Sequence, residues 1–234
     1  MRASAYGFST ELQLPQNSRP GWGLDKTSDD WLAELQSMRG RVLYDGGRRA
    51  KFLKPDGTCA DFDPLDALSY HVIVRSRGRI VGCARVTPLV PGVRGVVQST
   101  LGDDRFLRLL DDIGETPQST SEASRWMVVP EFRGHGLGFH IIAASWAVGR
   151  WLGGRVCFAA AGSRDKQDRM LMKLGGRSVD AIPLIPSDEF DDELHVLHFD
   201  LQQPSDTMVR WVDHMTAALG LDCLLDETFS LRGA

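Results

Sequence analysis

The chain has 234 residues, 42% of them hydrophobic and 25% charged, which suits one large domain or a domain with an appendage and leaves ample apolar material for a core. A net charge of −4 and a pI near 5.9 argue against a dedicated nucleic-acid binder. The sequence holds no run of about 18 apolar residues, so no membrane span is expected. Cys59, Cys83, Cys157 and Cys223 are scattered without a C-x-x-C pair. Cys83 and Cys157 lie in apolar runs and read as buried thiols, which points to a reducing compartment, the cytoplasm.

Met1 to Gly23 is rich in polar residues, Pro and Gly and lacks the apolar centre of a signal peptide. Residues 1–26 are therefore expected to form an N-terminal arm or loop. Thr27-Ser-Asp-Asp30 fits a capping box, and Trp31, Leu35, Met38 and Val42 follow at helical spacing to about Tyr44, where Asp45-Gly46-Gly47 ends the helix. Arg48, Arg49, Lys51 and Lys54 make a basic cluster ahead of the turn Pro55-Asp56-Gly57. It reads either as a solvated loop or as a docking surface for an acidic partner. Asp61 to Asp66 is an acidic turn. His71–Arg75 and Ile80–Val86 read as strands of a hairpin turned at Ser76–Arg79. Gln98 to Gly114 carries Leu101, Phe106, Leu109, Leu110 and Ile113, as a short amphipathic helix would.

Further on, Arg155–Ala161 is a short apolar strand and Arg164–Leu174 a helix ended by Gly175-Gly176. Ser178–Ile185 reads as a strand, Pro186–Glu193 as an acidic loop, Leu194–Leu201 as a strand, and Ser205–Leu219 as a helix before a tail. Mixed helices and strands predict an α/β fold. The domain is expected over 27–202, with 203–234 as a C-terminal helix and tail. His195 and His198, three apart in a strand, point to opposite faces and do not make a simple metal pair.

The organising stretch is Glu122-Ala-Ser-Arg-Trp-Met-Val-Val-Pro-Glu-Phe-Arg-Gly-His-Gly-Leu-Gly138, followed by an apolar helical pattern to Leu152. Strand, glycine turn and helix N-terminus in that order make an anion site: the first helical N–H groups lack intrahelical partners, and the macrodipole adds positive potential. The glycines allow close backbone approach. The turn is neither a G-x-x-x-x-G-K-[ST] loop nor a dinucleotide fingerprint, since Phe139 stands where a small residue should.

From Arg133 to Gly138 the turn reads Arg-x-x-Gly-x-Gly, and this resembles the pyrophosphate-binding motif of the GCN5-related N-acyltransferases (GNAT). The resemblance implies a central sheet with two strands splayed around a thioester, and a donor, acyl-CoA or acyl-ACP, held through its pantetheine phosphates. It assigns donor binding to Met127, Val128, Val129, Arg133, Gly134, His135, Gly136, Leu137 and Gly138. A narrower likeness covers Arg39 to Arg125. Arg39-Gly-Arg-Val-Leu43, Asp63-x-x-Asp66, Gly82-Cys-Ala-Arg85 and Glu122-Ala-Ser-Arg125 recur in this order in acyl-homoserine lactone synthases and in long-chain N-acyl amino acid synthases. It implies catalytic roles for Glu122 and Arg125 and an acceptor site at Arg39, Asp63, Asp66 and Arg85. The lactone synthases usually carry an aromatic residue at the place of Leu43 and a Trp a few residues on, where this chain has Arg48 to Lys51; the N-acyl amino acid synthases, or an acyl-CoA-using relative, fit the mixture better.

The chemistry implied is attack of an amine on a thioester carbonyl. It needs a base, for which Glu122 is the candidate with a pKa raised by burial, and oxyanion donors, for which backbone N–H groups near Met127 to Val129 are placed. Three apart on a regular strand, Glu122 and Arg125 should point to opposite faces. The Asp residues suit an ammonium and Arg85 a carboxylate; for Asp63 and Asp66, plain turn chemistry is the other reading. Many relatives keep a tyrosine after the strand that starts at Val156; none stands here, and no general acid is assigned. His135 and His140 read as structural. No metal is called for. An acyl carrier protein as partner would need a basic face, for which Arg48, Arg49, Lys51, Lys54, Arg164, Lys166 and Arg169 are candidates. The expected function is N-acyl transfer to a small amino-acid-like amine; the alternatives are lactone synthesis from S-adenosylmethionine and a non-catalytic acyl-CoA sensor. Oligomeric state is not specified by the sequence.

Overall fold

The computed structural model describes residues 2–5, 7–16 and 30–222. The expected cap at residues 27–29, Cys223 and the C-terminal tail lie outside them. Among the described residues one mixed sheet of nine strands dominates: β1 (Arg2–Ala5), β2 (Phe8–Gln13), β3 (Tyr70–Ser76), β4 (Arg79–Pro88), β5 (Thr120–Val128), β6 (Val156–Gly162), β7 (Arg177–Ser178), β8 (Ile185–Ser187) and β9 (Asp192–Asp200). Their spatial order is β1-β2-β3-β4-β5-β6-β9-β7, with β8 also on β9. Every pairing is antiparallel except β5 with β6. The helices are α1 (Asp30–Tyr44), α2 (Val96–Leu101), α3 (Asp103–Asp112), α4 (Leu137–Trp151), α5 (Gln167–Lys173) and α6 (Asp206–Ala218). None is long and apolar enough to cross a membrane.

Strand alternation sorts the side chains into layers. Val72, Val74, Ala84 and Val86 face α4, whose Ile141, Ala144 and Val148 meet them, and α6 adds Met208, Val212 and Met215. The other face presents Ile73, Cys83 and Met127 to Leu35 and Met38 of α1. A third cluster sets Phe106, Leu109 and Leu110 of α3 against Phe158 and Val196. Each fully buried Leu, Ile or Phe here contributes about 1.5–3 kcal/mol relative to exposure.

Three local expectations are corrected. The stretch expected as an arm or loop contributes β2, paired with β3 from Phe8↔Ser76 to Gln13↔His71. Its polar composition disguised a strand: Thr10 and Glu11 are buried, and Glu11 is paired with Arg75 at 2.8 Å. The single helix expected over Gln98–Gly114 is two, broken at Gly102, whose φ of +79° no L residue adopts cheaply. The strand expected over Ser178–Ile185 is reduced to the short pieces β7 and β8. Pro183 lacks a ladder donor, and Val179 and Ile182 instead form a turn that buries both side chains.

The feature that positions the site is where β5 and β6 part. Their pairing runs only through Thr120↔Val156, Ser121↔Cys157 and Glu122↔Phe158, although the strands continue to Val128 and Gly162. On its other edge β5 carries a bulge: Cys83 opposes Met127 but Arg85 opposes Ser124, so β5 holds one extra residue, and Arg125 there has φ +53°. A bulge bends its strand and sharpens the local twist, in keeping with divergence from β6.

Candidate active site

The glycine turn sits at the C-terminal end of β5. Pro130–Phe132 makes one 3₁₀ turn, Gly134 and Gly136 take φ of +80° and +77°, and α4 starts at Leu137. His140 N–H is bonded to Gly136 C=O at 3.1 Å; the N–H groups of Leu137, Gly138 and Phe139 have no carbonyl one helical turn back, and the turn ahead of them, Arg133 to Gly136, is exposed. Gly138 is there for a different reason: a Cβ would lie 3.0 Å from the Trp126 ring, whose Nε1 donates to Gly138 C=O at 3.0 Å. Arg133 stays exposed and donates through Nε to Val128 C=O at 3.1 Å. His140 bonds Thr10 Oγ1 through Nε2 at 2.7 Å.

Val129 N–H is committed to Val81 C=O at 2.9 Å. Alternation then turns Met127 N–H toward β4 as well, and sends the N–H groups of Val128 and Trp126 toward the side that β6 has vacated. Of the three expected oxyanion donors, only Val128 opens into the wedge, and Trp126 joins it. Gln167 spans the gap: its Nε2 donates to Trp126 C=O at 3.5 Å and its Oε1 accepts from Gly162 N–H at 3.3 Å. One side-chain amide thus ties together two strands too far apart to pair.

On the α1 side of β5 lies a lattice of arginines and aspartates. Arg39, fully buried on α1, donates from Nη1 and Nη2 to the two carboxylate oxygens of Asp66, and from Nη2 to Asp61 C=O at 2.9 Å; its Nε lies 3.0 Å from Asp61 Oδ2. Arg85 on β4 reaches Asp63 at 2.8 Å and Asp66 at 3.1 Å through Nη1, and Ser124 Oγ at 3.1 Å through Nε. Its Nη2 is buried without a hydrogen-bond partner. Arg125 bonds Asp61 at 2.8 Å and Asp63 at 3.0 Å, and the Phe190 ring lies over its guanidinium at 5.1 Å. Burial pushes the Asp66 carboxyl up, but the bonds from Arg39, with Gln36 and Arg85, outweigh it and hold the pKa at about 2. Asp63 is likewise below its ordinary value: burial raises it, and Arg85 and Arg125 more than offset that. His71 donates through Nε2 to Asp66 C=O at 2.9 Å, and burial lowers its pKa to about 4.

The structure therefore brings together Arg39, Asp63, Asp66, Arg85 and Arg125, as the sequence suggested. It also adds Asp61, Gln36, His71 and Ser124. Asp61 was within reach of sequence reasoning, because it belongs to the same acidic turn; the others carry no signal outside the fold. The expectation that Glu122 and Arg125 face opposite ways fails. The extra residue of the bulge resets the alternation, so both face the α1 side, with Trp126 sent to the α4 side.

Glu122 nonetheless does not pair with Arg125. Its two carboxylate oxygens accept from Val96 N–H at 2.8 Å and Val97 N–H at 2.7 Å, the first amides of α2. It is 1% exposed, at the last residue of β5 paired with β6. Burial raises its pKa, against the two amide bonds and the fields of Arg85 and Arg125. Gly95 is required beside it: a Cβ there would come within 3.0 Å of the carboxylate carbon.

The basic cluster does not form an open docking face. Arg48 pairs with Asp165 at 2.8 Å and Asp191 at 3.2 Å, Arg49 donates to Phe190 C=O, Lys51 pairs with Glu189 at 2.9 Å, and Arg164 pairs with Asp191. Lys54 lies 4.3 Å over the Phe62 ring. These contacts tie the segment after α1 to the turn before α5 and to the turn between β8 and β9; Lys51, Arg164, Lys166 and Arg169 are exposed, the first two in surface ion pairs. His195 is held by Ser178 at 2.8 Å and Asp168 at 3.3 Å, and His198 lies beside Phe158.

Residues 45–141, which hold the acidic turn, Arg85, Glu122, Arg125 and the start of α4, match the family model described as an acetyltransferase (GNAT) domain. A search of curated protein sequences finds no match. Among solved structures, TofI in a ternary complex with an inhibitor and MTA is similar at 20% identity and a TM-score of 0.59, over 89% of this chain and 98% of that one. BjaI, a CoA-dependent acyl-homoserine lactone synthase, with SAM and isopentyl-CoA, is similar at 15% and 0.60, over 90% and 89%. The AHL synthase LasI is similar at 15% and 0.57, over 86% and 93%. The fold is that of the GNAT acyltransferases.

Proposed function

We propose that this chain, an acyltransferase of the GNAT type, moves an acyl group from a pantetheine thioester to the amine of a small molecule with an α-amino acid head. The observation that carries the reading is the wedge between β5 and β6, which has the exposed glycine turn at its mouth and the Arg/Asp lattice on its α1 side. In this reading the amides from Gly134 to Phe139 take the pyrophosphate, with Arg133 as a charged donor. The pantetheine amides occupy the hydrogen-bonding positions that Gln167 now bridges, at Trp126 C=O and Gly162 N–H. Val128 N–H, with Trp126 N–H, points at the thioester oxygen and stabilises the charge that develops there.

The acceptor approaches from the α1 side. Asp63, on the rim of the lattice, draws the ammonium, and the unpartnered Nη2 of Arg85 is a donor for the carboxylate. Asp63 and Asp66 are held ionised below the ordinary carboxylate range and make poor proton acceptors. Glu122 differs, because burial raises its pKa, and it is the group we assign to receive the amine's proton through a water. The nitrogen lone pair forms the amide bond, the carbon–sulfur bond breaks, and the departing thiolate takes up a proton from water to leave as the thiol. Arg125 fixes Asp61 and Asp63 from the β5 side. Coenzyme A is favoured over a carrier protein as the donor, because the basic residues that a carrier would need are engaged within the chain.

The test is thiol release from acyl-CoA by the purified protein, with mass spectrometry of the product, against a panel of amino acids and against S-adenosylmethionine. An N-acyl amino acid is the expected product. An acyl-homoserine lactone would assign the same site to lactone synthesis, whose acceptor carries the same amino acid head. Binding of acyl-CoA without any thiol release would identify a sensor.

A further inference from the structure

Behind the wedge, on the α4 side of the sheet, lies an apolar cavity of about 50 Å³. Three alanines make the space: Ala84, Ala123 and Ala159 present a single methyl group from β4, β5 and β6 where larger side chains would fill it. Three aromatic rings limit it: Trp126, Trp146 and Phe199. None of the rings is free to swing. Trp146 Nε1 donates to Leu201 C=O at 3.1 Å and Trp126 Nε1 to Gly138 C=O at 3.0 Å, so rotation of either forfeits a hydrogen bond. Phe199 stands edge-on to Trp146, ring centroids 5.6 Å apart, and its far edge backs onto Gly176, where a Cβ would lie 2.9 Å from the ring. Cys157, also in the lining, is a neutral thiol that burial keeps protonated, its pKa pushed up to about 12.

A cavity of about 150 Å³ is what holds a benzene-sized guest. One-third of that volume takes two carbons, with room for about four if the lining relaxes slightly. We infer that this cavity receives the acyl chain of the donor and restricts it to short chains, of two to about four carbons. The inference rests on the acyltransferase reading and deepens it by naming the donor class. It departs from the long-chain N-acyl amino acid synthases that the sequence resembles, because the locked aromatic rings stand where added methylenes would have to pass.

The test is the specificity of the unaltered protein. Thiol release is measured with saturated acyl-CoA donors of two to twelve carbons and compared as kcat/KM. A chain that overruns the cavity loses about tenfold or more per methylene that cannot be seated, so the expected optimum lies at four carbons or fewer, with at least a hundredfold lower value at eight. An optimum at eight carbons or more would overturn the inference and leave the acyltransferase reading standing; no release at any length would overturn both. Two variants move the limit in opposite directions. Phe199→Ala enlarges the cavity and should lengthen the preferred chain by two carbons or more, whereas Ala123→Leu fills it and should leave only the two-carbon donor active. If Phe199→Ala does not fold, the Ala123→Leu profile stands alone, and unchanged use of a four-carbon donor by that variant would refute the assignment.

Discussion

The two layers that flank β5 are built from opposite materials. On the α1 side Arg39, Arg85 and Arg125 balance Asp61, Asp63 and Asp66, nearly all out of contact with water. On the α4 side the same strand meets mostly methyl groups and rings, with the Ser145 hydroxyl and the Cys157 thiol, around a small void. The first layer is defined by charge balance, so its members cannot be removed singly. The second is defined by volume, so its members can be exchanged at a graded cost. An amine and its carboxylate suit the first layer, and a hydrocarbon chain suits the second.

The largest expected effect comes from breaking the charge balance. Arg39→Met takes a buried cation from Asp61 and Asp66 and leaves three largely buried carboxylates facing only Arg85 and Arg125, a loss of about 3–5 kcal/mol. Chemical denaturation should show a variant that is barely folded or insoluble. Next comes Glu122→Gln, for which turnover should fall about a hundredfold or more. The wild type should show an acid limb in kcat/KM at a pH above the ordinary carboxylate range, because burial raises this group, and the residual activity of the variant should lack that limb. An unchanged limb would remove Glu122 from the reaction and leave it as an anchor for α2.

Stability against acid comes third, and its sign is fixed by two depressed pKa values. His71 ordinarily titrates near 6.5 but is held at about 4 when folded. The unfolded chain therefore binds a proton first, and stability present above pH 6.5 is lost as the pH falls toward 4, by about 3 kcal/mol. Asp66, held at about 2, adds a further loss of about 2 kcal/mol between pH 4 and 2. Thermal melts from pH 7 downward should show the first step, and His71→Gln should flatten it. A smaller effect follows at the turn: Gly136→Ala forces a side chain into φ +77° and costs about 1–2 kcal/mol, seen as weaker donor binding by calorimetry. The smallest is Arg48→Ala. Its partners at the surface are half-exposed, so it should change stability by less than about 1 kcal/mol.

How much of this was readable beforehand depended on how far apart in the chain the pieces lie. The glycine turn is contiguous, and its backbone requirements are written into Gly134, Gly136 and Gly138, so motif and geometry agree. The lattice is assembled from α1, the acidic turn, β4 and β5; only the likeness to a family put Arg39, Asp63, Asp66, Arg85 and Arg125 in one place. Glu122 was found, but its engagement with Val96 and Val97 was not, because an amide has no side-chain signature. The basic run from Arg48 to Lys54 misled in the other direction. Its composition was visible, whereas its partners Asp165, Glu189 and Asp191 lie more than a hundred residues away. The cavity left no trace, since three scattered alanines resemble any others.

The single surplus residue in β5 has a consequence for anyone who edits this strand. It acts as a phase shift: upstream and downstream of Arg125, odd and even positions exchange sides. Straightening the strand with every residue kept would deliver a guanidinium into the oily compartment and an indole into the ionic one, whereas removing either Ser124 or Arg125 would leave Trp126 and Met127 on their present sides. Backbone phase, at this point of the chain, is as much a specification as chemistry.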